Sequence, residues 1–405
     1  MIQCCMSSGS SHLPAWPAIG WEERPWAPRT SPDLLPRSIA ARHRGAYRAA
    51  VAPEIAALQP QLPGEVLAMA EDASNAIARF DAEVGAELTP FASVLLRSES
   101  ASSSRIENLT SGAKSIALAE LGSDEKRNAT EIVGNVAAMR AALELADQLD
   151  EEVILAMHRA LLEHTEPAIA GRWRDEQVWV GGTSYGPHTA DYVAPHQDRV
   201  PAAITDLVRF ARRHDIPVLV HAAIAHAQFE TIHPFPDGNG RTGRALIHSM
   251  LRAKGLTRKV TVPVSAGLLA DTRAYFDTLT RYREGEIAPI VETMANASFR
   301  AIDNGRRLVD ELRGIRQGWN DTVRARRDST AWKLADLLMR QPVVDAAAVV
   351  DELGIREANA LRPINALVDA GVLTEFTGFR RNRMWQSREV IAALDEFAGR
   401  AGRRG

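Results

Sequence analysis

The chain has 405 residues, 45% of them apolar and 24% charged, with a formal net charge of −3. That length holds two or three domains and at least one sizeable core. The near-neutral balance excludes a global pull toward nucleic acid or an anionic membrane, so any basic surface is local.

Residues 1–36 are rich in Pro, Ser and Trp and read as an extended lead-in. Their two adjacent cysteines, Cys4 and Cys5, can neither staple a fold nor make a zinc site alone, which fits a reducing cytoplasm. The first thirty residues have no cationic start or long apolar run, so no signal peptide is expected. No stretch approaches the roughly 20 apolar residues that span a bilayer, so the expectation is a cytoplasmic protein without a membrane partner. Residues 37–123 form an N-terminal helical region, with apolar residues at three-to-four spacing from about 38 to 97. Helical periodicity returns over 124–165, 197–232, 238–253 and much of 265–325. Between them, QVWVGG and DYVAP place β-prone residues around a Gly-rich turn and predict a short hairpin over Val178, Trp179 and Val180. Ile302, Val309, Leu312, Ile315, Trp319 and Val323 mark an amphipathic linking helix over 301–328, a candidate spacer or dimer seam. Residues 329–405 read as helix, helix, turn, helix, two strands around a Gly turn and a closing helix. That order describes a winged helix-turn-helix.

The chemistry concentrates where the helix ending near Ile232 breaks and a new one starts near Asn239, in HPFPDGNGRTGR, residues 233–244. Pro234 and Pro236 forbid helix continuation, and Phe235 between them is an apolar peg. Gly238 and Gly240 permit a tight turn and close approach of a ligand to the backbone. The first turn of the following helix offers unpaired N–H groups and a positive dipole end, which suits phosphates. Arg241 and Arg244, three apart, share a helix face and can grip two phosphate groups. Asp237 is a hard oxygen ligand for Mg2+, which takes few protein groups beside phosphates. His233, with an unperturbed pKa of about 6.5, suits a general base near neutral pH. The loop can therefore bind a magnesium triphosphate and deprotonate an incoming hydroxyl. The other histidines, including His221, His226 and His248, lack metal spacing and read as structural.

This string resembles the signature of Fic-domain proteins, HxFx(D/E)GNGRxxR, at every defining position. Members of that family mostly transfer AMP from ATP to a Ser, Thr or Tyr hydroxyl of a target protein. The resemblance implies His233 as base, Asp237 as magnesium ligand, and Gly238, Asn239, Gly240, Arg241, Thr242, Gly243 and Arg244 as the nucleotide-binding run. In it, Arg241 lies near the β- and Arg244 near the γ-phosphate. A related phosphotransferase branch carries Lys in place of the second Gly, so Gly240 argues for nucleotidyl transfer. RSESASSSRIENLT, residues 97–110, resembles the family's inhibitory motif (S/T)xxxE(G/N) through Ser103, Glu107 and Asn108. The implied role is an ion pair from Glu107 to Arg244 that removes a γ-phosphate partner. The hairpin at 178–180 is similar to the family's flap, whose strand edge holds a target segment by main-chain bonds. Tyr275 and Phe276 resemble the aromatic pair beside adenine, Phe276 being the residue taken for the pocket. WPAIGWEERPW, residues 16–26, is similar to a lead-in of longer bacterial members.

The expected fold is mainly α: a Fic-type helical bundle over 124–300 with a β-hairpin flap, plus a small winged-helix domain. The expected activity is autoinhibited protein adenylyl transfer, from ATP with Mg2+ to a hydroxyl of a protein target or of the chain itself. Two alternatives stand beside it: a hydrolase that removes AMP using Glu107, and an ATP-sensing DNA-binding regulator. In the winged helix, Arg356, Asn359, Arg362 and Asn365 on the second helix, with Arg380, Arg381 and Arg383 on the wing, suit phosphate contacts. A protein partner or a homodimer is equally open there.

Overall fold

The computed structural model describes residues 16–27, 36–86, 90–378 and 382–402. Cys4, Cys5, Arg380 and Arg381 lie outside the described residues. The chain opens with strand β1 (Gly20–Arg24), helix α1 (Arg37–Arg42) and strand β2 (Tyr47–Val51), the two strands pairing antiparallel with Trp21 opposite Ala50. Two expectations are corrected here. The lead-in contains packed structure, since Trp16 is buried against the rings of Phe210 and Tyr282. The helical reading from 38 onward fails at 47–51, where Tyr47, Ala49 and Ala50 are buried in a strand. Alanine-rich periodicity favours a helix locally, but pairing with β1 and packing on a neighbouring hairpin override that preference.

Helices α2 (Gly64–Gly85), α3 (Pro90–Ile106), α4 (Ala113–Glu120), α5 (Arg127–Glu144) and α6 (Glu151–Leu162) follow. The two-stranded flap, β3 (Trp179–Val180) and β4 (Tyr192–Val193), pairs antiparallel as expected. Tyr47 and Ala49 of β2 pack on Val193, and Ala50 packs with Tyr192, so the N-terminal hairpin braces the flap from behind. Next come α7 (Val200–Ala211), α8 (Val218–Ile232), α9 (Asn239–Ala253), α10 (Val264–Leu268) and α11 (Thr272–Arg283). From Leu219 to Ile232 every residue of α8 is buried. A helix covered on all sides is a central one, and the functional loop hangs from its C-terminal end.

Helix α12 (Ala288–Thr322) runs 35 residues without interruption, about 50 Å at the α-helical rise. It passes straight through the expected boundary at 300. Ile302, Val309, Leu312, Trp319 and Val323 are all buried within the chain, so this stripe is not open as a dimer seam. It packs instead against α2 and the C-terminal unit, which burial of apolar area favours over exposure. That unit contains α13 (Thr330–Arg340), β5 (Val343–Asp345), α14 (Ala346–Leu353), α15 (Leu361–Asp369), β6 (Thr374–Glu375), β7 (Met384–Gln386) and α16 (Arg388–Ala401). Its sheet has three strands in the order β5-β7-β6. The third, β5, pairs with β7 and was not expected from the sequence. The second helix of the turn motif is shorter than expected, with a 3-10 turn at Glu357–Asn359 before α15.

The C-terminal unit also grips the segments on either side of Glu107. Arg105 donates to the Ala398 carbonyl at 2.6 Å, the Asp395 carboxylate accepts from the Ala113 amide at 2.8 Å, and Gln341 donates to the Ala117 carbonyl at 3.0 Å. Lys114 sits 3.6 Å above the Phe376 ring, a cation–π contact. The main apolar core runs from Trp16 to Ala401.

Candidate active site

Helix α8 ends at His233, whose backbone turns left-handed at φ 51° and ψ 61° while its N–H still donates to the Phe229 carbonyl at 2.9 Å. That conformation costs a non-glycine residue about 1 kcal/mol and turns the imidazole away from the helix run. What holds it is Phe235, fully buried, with the His158 ring stacked 3.7 Å from it and Trp173 at 4.9 Å on a stacked geometry. Deleting such a side chain typically costs about 3–5 kcal/mol. The Asn239 amide closes the loop: its oxygen accepts from the Phe235 N–H and its nitrogen donates to the Phe235 carbonyl, both at 2.8 Å. The Asn239 side chain therefore braces the loop, and its backbone N–H stands at the start of α9. Gly238, at φ +76°, needs to be glycine twice over, because a Cβ there would lie 2.8 Å from Leu161.

The loop opens onto a cleft of about 930 Å³ lined by His233, Asp237, Gly238, Asn239, Gly240, Arg241, Arg244 and Phe276. The cleft thus gathers most of the residues singled out in sequence. Within the 238–244 run, Thr242 and Gly243 do not line it, being buried on the inner side of α9; a Cβ at 243 would meet Glu230, Phe229 and His226. Phe276 is 46% exposed on the cleft wall, whereas Tyr275 is buried with its hydroxyl 2.7 Å from His226 Nε2. Trp179 and Val180 of the flap reach the cleft, but Val178 faces the N-terminal hairpin.

Arg244 is 1% exposed and fully engaged by the end of α3. Its Nε donates to Ser103 Oγ at 2.8 Å and its Nη2 to the Ser103 carbonyl at 2.9 Å and to Glu107 Oε1 at 2.8 Å. Burial by itself would lower its pKa, but the charge of Glu107, with Tyr275 and Glu230, carries it above the usual arginine range. Asn108 follows in a left-handed conformation, φ 61°, which ends the helix and aims Glu107 at the cleft. A Cβ on Gly240 would lie against Glu107 Oε1, so a larger side chain there and this ion pair exclude each other.

Arg241 is 3% exposed and held between Asp237 Oδ2 at 3.1 Å and Glu131 Oε2 at 3.4 Å. The Asp237 carboxylate is 56% exposed in the cleft, an accessible hard oxygen of the kind Mg2+ takes when phosphates supply other ligands. Among the described residues no group of three metal-binding side chains is present. His233 is pushed down to about 4 by burial, with Arg283 and Arg174 adding to the shift. Its imidazole is neutral at physiological pH, the form a base requires.

Several residues of this site carry no signature in sequence. Arg174, 3% exposed, donates to the carbonyls of His233, Glu176 and Pro195 and ties the catalytic loop to the base of the flap. Arg283 stacks 3.6 Å over the Tyr192 ring at the cleft mouth. His158 accepts from the Gly171 N–H and so donates through Nε2 to the Asp237 carbonyl at 3.0 Å, fixing the backbone at Asp237. Glu230 is buried beneath His233 with its pKa raised to about 7, by burial first and by Glu107 second, against the opposing charges of Arg244 and Arg283. The helix period could have found it, since it lies three residues before His233 on the same face. Of the histidines read as structural, His221 meets the Phe210 carbonyl at 2.7 Å, and His248 pairs with Glu99 at 2.9 Å.

In the C-terminal unit, Arg356, Asn359, Arg362 and Asn365 are exposed. Arg383 is paired with Glu375 and lies 5.0 Å over the Trp385 ring. No helix among the described residues is long and apolar enough to cross a membrane.

Comparison with known proteins agrees with this geometry. Residues 148–251 match the Fic/DOC family and residues 67–144 match the Fic/DOC family N-terminal region. The chain is 32% identical over 182 residues to protein adenylyltransferase fic-1 of Caenorhabditis elegans, covering 44% of this chain and 33% of that protein. It is 29% identical over 165 residues to protein adenylyltransferase Fic of Nematostella vectensis, covering 40% and 35%. The chain thus spans about a third of the length of the curated relatives it matches. A Fic family protein from Desulfovibrio desulfuricans G20 shares the fold, with a TM-score of 0.51 at 22% identity over 82% of this chain and 98% of that one. Residues 67–251 thus hold both regions similar to the Fic/DOC family, together with the loop that carries His233, Asp237, Arg241 and Arg244.

Proposed function

We propose that the chain is an autoinhibited protein adenylyltransferase, moving AMP from ATP to a hydroxyl of a protein, which can be the chain itself. The observation that carries this reading is the double claim on Arg244. It lies on the first turns of α9, where phosphates bind a helix N-terminus, yet its guanidinium is occupied by Glu107 at 2.8 Å. In the working state a γ-phosphate takes the place of that carboxylate, Arg241 meets the β-phosphate, and the α9 N–H groups receive the α-phosphate. Asp237 would hold magnesium, which neutralises phosphate charge when bound. A target segment adds along the flap edge at Trp179 and Val180 and presents its hydroxyl to His233. The hydroxyl oxygen then attacks the α-phosphorus, the bond to the bridging α,β-oxygen breaks, pyrophosphate leaves, and the hydroxyl proton passes to His233.

Glu107 gives a second reading a foothold, because its carboxylate opens on the same cleft as His233. In the reverse direction it orients a water for release of AMP from a modified protein. Incubation with ATP labelled on the α-phosphate separates the readings. Adenylyl transfer predicts weak labelling of the wild type, strong labelling of Glu107→Gly and none of His233→Ala. Equal labelling of all three removes the proposal, and AMP release that disappears in Glu107→Gly favours the hydrolase.

A further inference from the structure

Two side chains at the end of α8, His233 and Glu230, each keep a buried polar atom without a hydrogen-bond partner among the described residues. His233 Nδ1 and Glu230 Oε1 are both enclosed and make no hydrogen bond among the described residues, and Nδ1 lies 3.8 Å from Glu230 Oε2. Buried imidazole and carboxyl groups normally find partners, and hydrogen bonds in catalytic sites are often long before substrate is bound. A small movement of either side chain closes this gap. With Nδ1 turned inward, Nε2 is the nitrogen left for the cleft.

Resting on the adenylyl-transfer reading above, we propose that Glu230 is the positioning residue of the base. Its carboxylate accepts the Nδ1 proton of His233, keeps Nε2 free to take the target's hydroxyl proton, and balances the imidazolium that forms. The other acceptor near the ring, the Glu230 backbone carbonyl, can orient Nδ1–H but carries no counter-charge.

The surroundings of Glu230 set when it can act. Facing it are Arg244 and the backbone of Gly243 from α9, Tyr275 and Arg283 from α11, Glu107 from the end of α3, and His226 and His233 from its own helix. Burial holds its ionisation near 7, whereas that of His233 is held near 4. The rate of a base assisted by the carboxylate follows the higher of these on its acid side. Removing Glu107 takes away a neighbouring negative charge and moves that limb somewhat lower.

The test uses the full chain with Glu107→Gly as parent and α-labelled ATP as probe, reading AMP incorporated into the protein across pH 5–9, a range chosen to bracket roughly two units about neutrality. The expected result is an acid limb below but near 7 in the parent. Adding Glu230→Gln should move it toward the His233 value and lower the plateau kcat about tenfold or more, with KM for ATP unchanged. Selective 15N labelling of histidine gives a readout independent of turnover. In the wild type the His233 ring nitrogens should shift near pH 7, and in Glu230→Gln that step should vanish.

Stability serves as the control. A carboxyl raised from 4.5 to about 7 by folding stabilises the native state below 4.5, and that contribution is lost as pH rises through 7. Glu230→Gln should therefore melt no lower than its parent at pH 8. An unchanged acid limb and an unchanged wild-type nitrogen step in Glu230→Gln would overturn the assignment. Absent labelling of the Glu107→Gly parent at every pH would instead remove the adenylyl-transfer reading, and the assignment with it.

Discussion

Two arginine–glutamate pairs in this chain look alike on paper and differ in everything that matters. Arg244 and Glu107 meet at 2.8 Å with the guanidinium 1% exposed and the carboxylate 37% exposed. Arg383 and Glu375 also touch, on the wing of the C-terminal unit, with both side chains open to water at 39% and 26%. The first guanidinium is further fixed by Ser103 through two hydrogen bonds, while the second only lies over Trp385. An exposed pair is screened by solvent and holds little; a buried arginine that loses its partner must find another anion. Enclosure lets an ion pair act as a switch, and in the proposed reading the occupant that replaces Glu107 is a phosphate of the nucleotide.

That contrast can be pressed from both ends. Phe235→Ala, which removes the peg under the catalytic loop, should lower stability by about 3–5 kcal/mol, read by denaturant titration, and abolish labelling with it. His233→Ala should leave the melting midpoint nearly unchanged while labelling falls by about a hundredfold or more. Glu107→Gly should raise labelling by up to about a hundredfold, equivalent to about 2.7 kcal/mol of bias removed from Arg244. Ser103→Ala loses one hydrogen bond from the same guanidinium, worth about 1 kcal/mol, and should raise labelling about fivefold in an initial-rate measurement. On the wing, Glu375→Ala should change neither labelling nor melting midpoint. If it matched Glu107→Gly, the distinction between the two pairs would be lost.

The catalytic loop was legible in the sequence because its constraints are local. Two prolines, two glycines and the spacing of Arg241 and Arg244 specify a break and a phosphate face without reference to the rest of the chain. Glu107 was legible only through resemblance, since 137 residues separate it from the arginine it holds. Strand β2 was read as helix because its partner lies in a Trp- and Pro-rich segment with no strand pattern of its own. The linking helix was read correctly as amphipathic, but periodicity cannot say what covers an apolar stripe; α2 and α16 do. Arg174 and Glu230 were missed because a buried charge looks like a surface charge in sequence until packing encloses it.

Intact-mass spectrometry after incubation with ATP and Mg2+ measures the competition for Arg244 most directly. An adduct of one AMP should appear on Glu107→Gly, be scarce on the wild type, and be absent when His233→Ala is combined with Glu107→Gly. Equal adduct on wild type and Glu107→Gly, or adduct that survives the loss of His233, would contradict the view that Glu107 holds the arginine against the nucleotide.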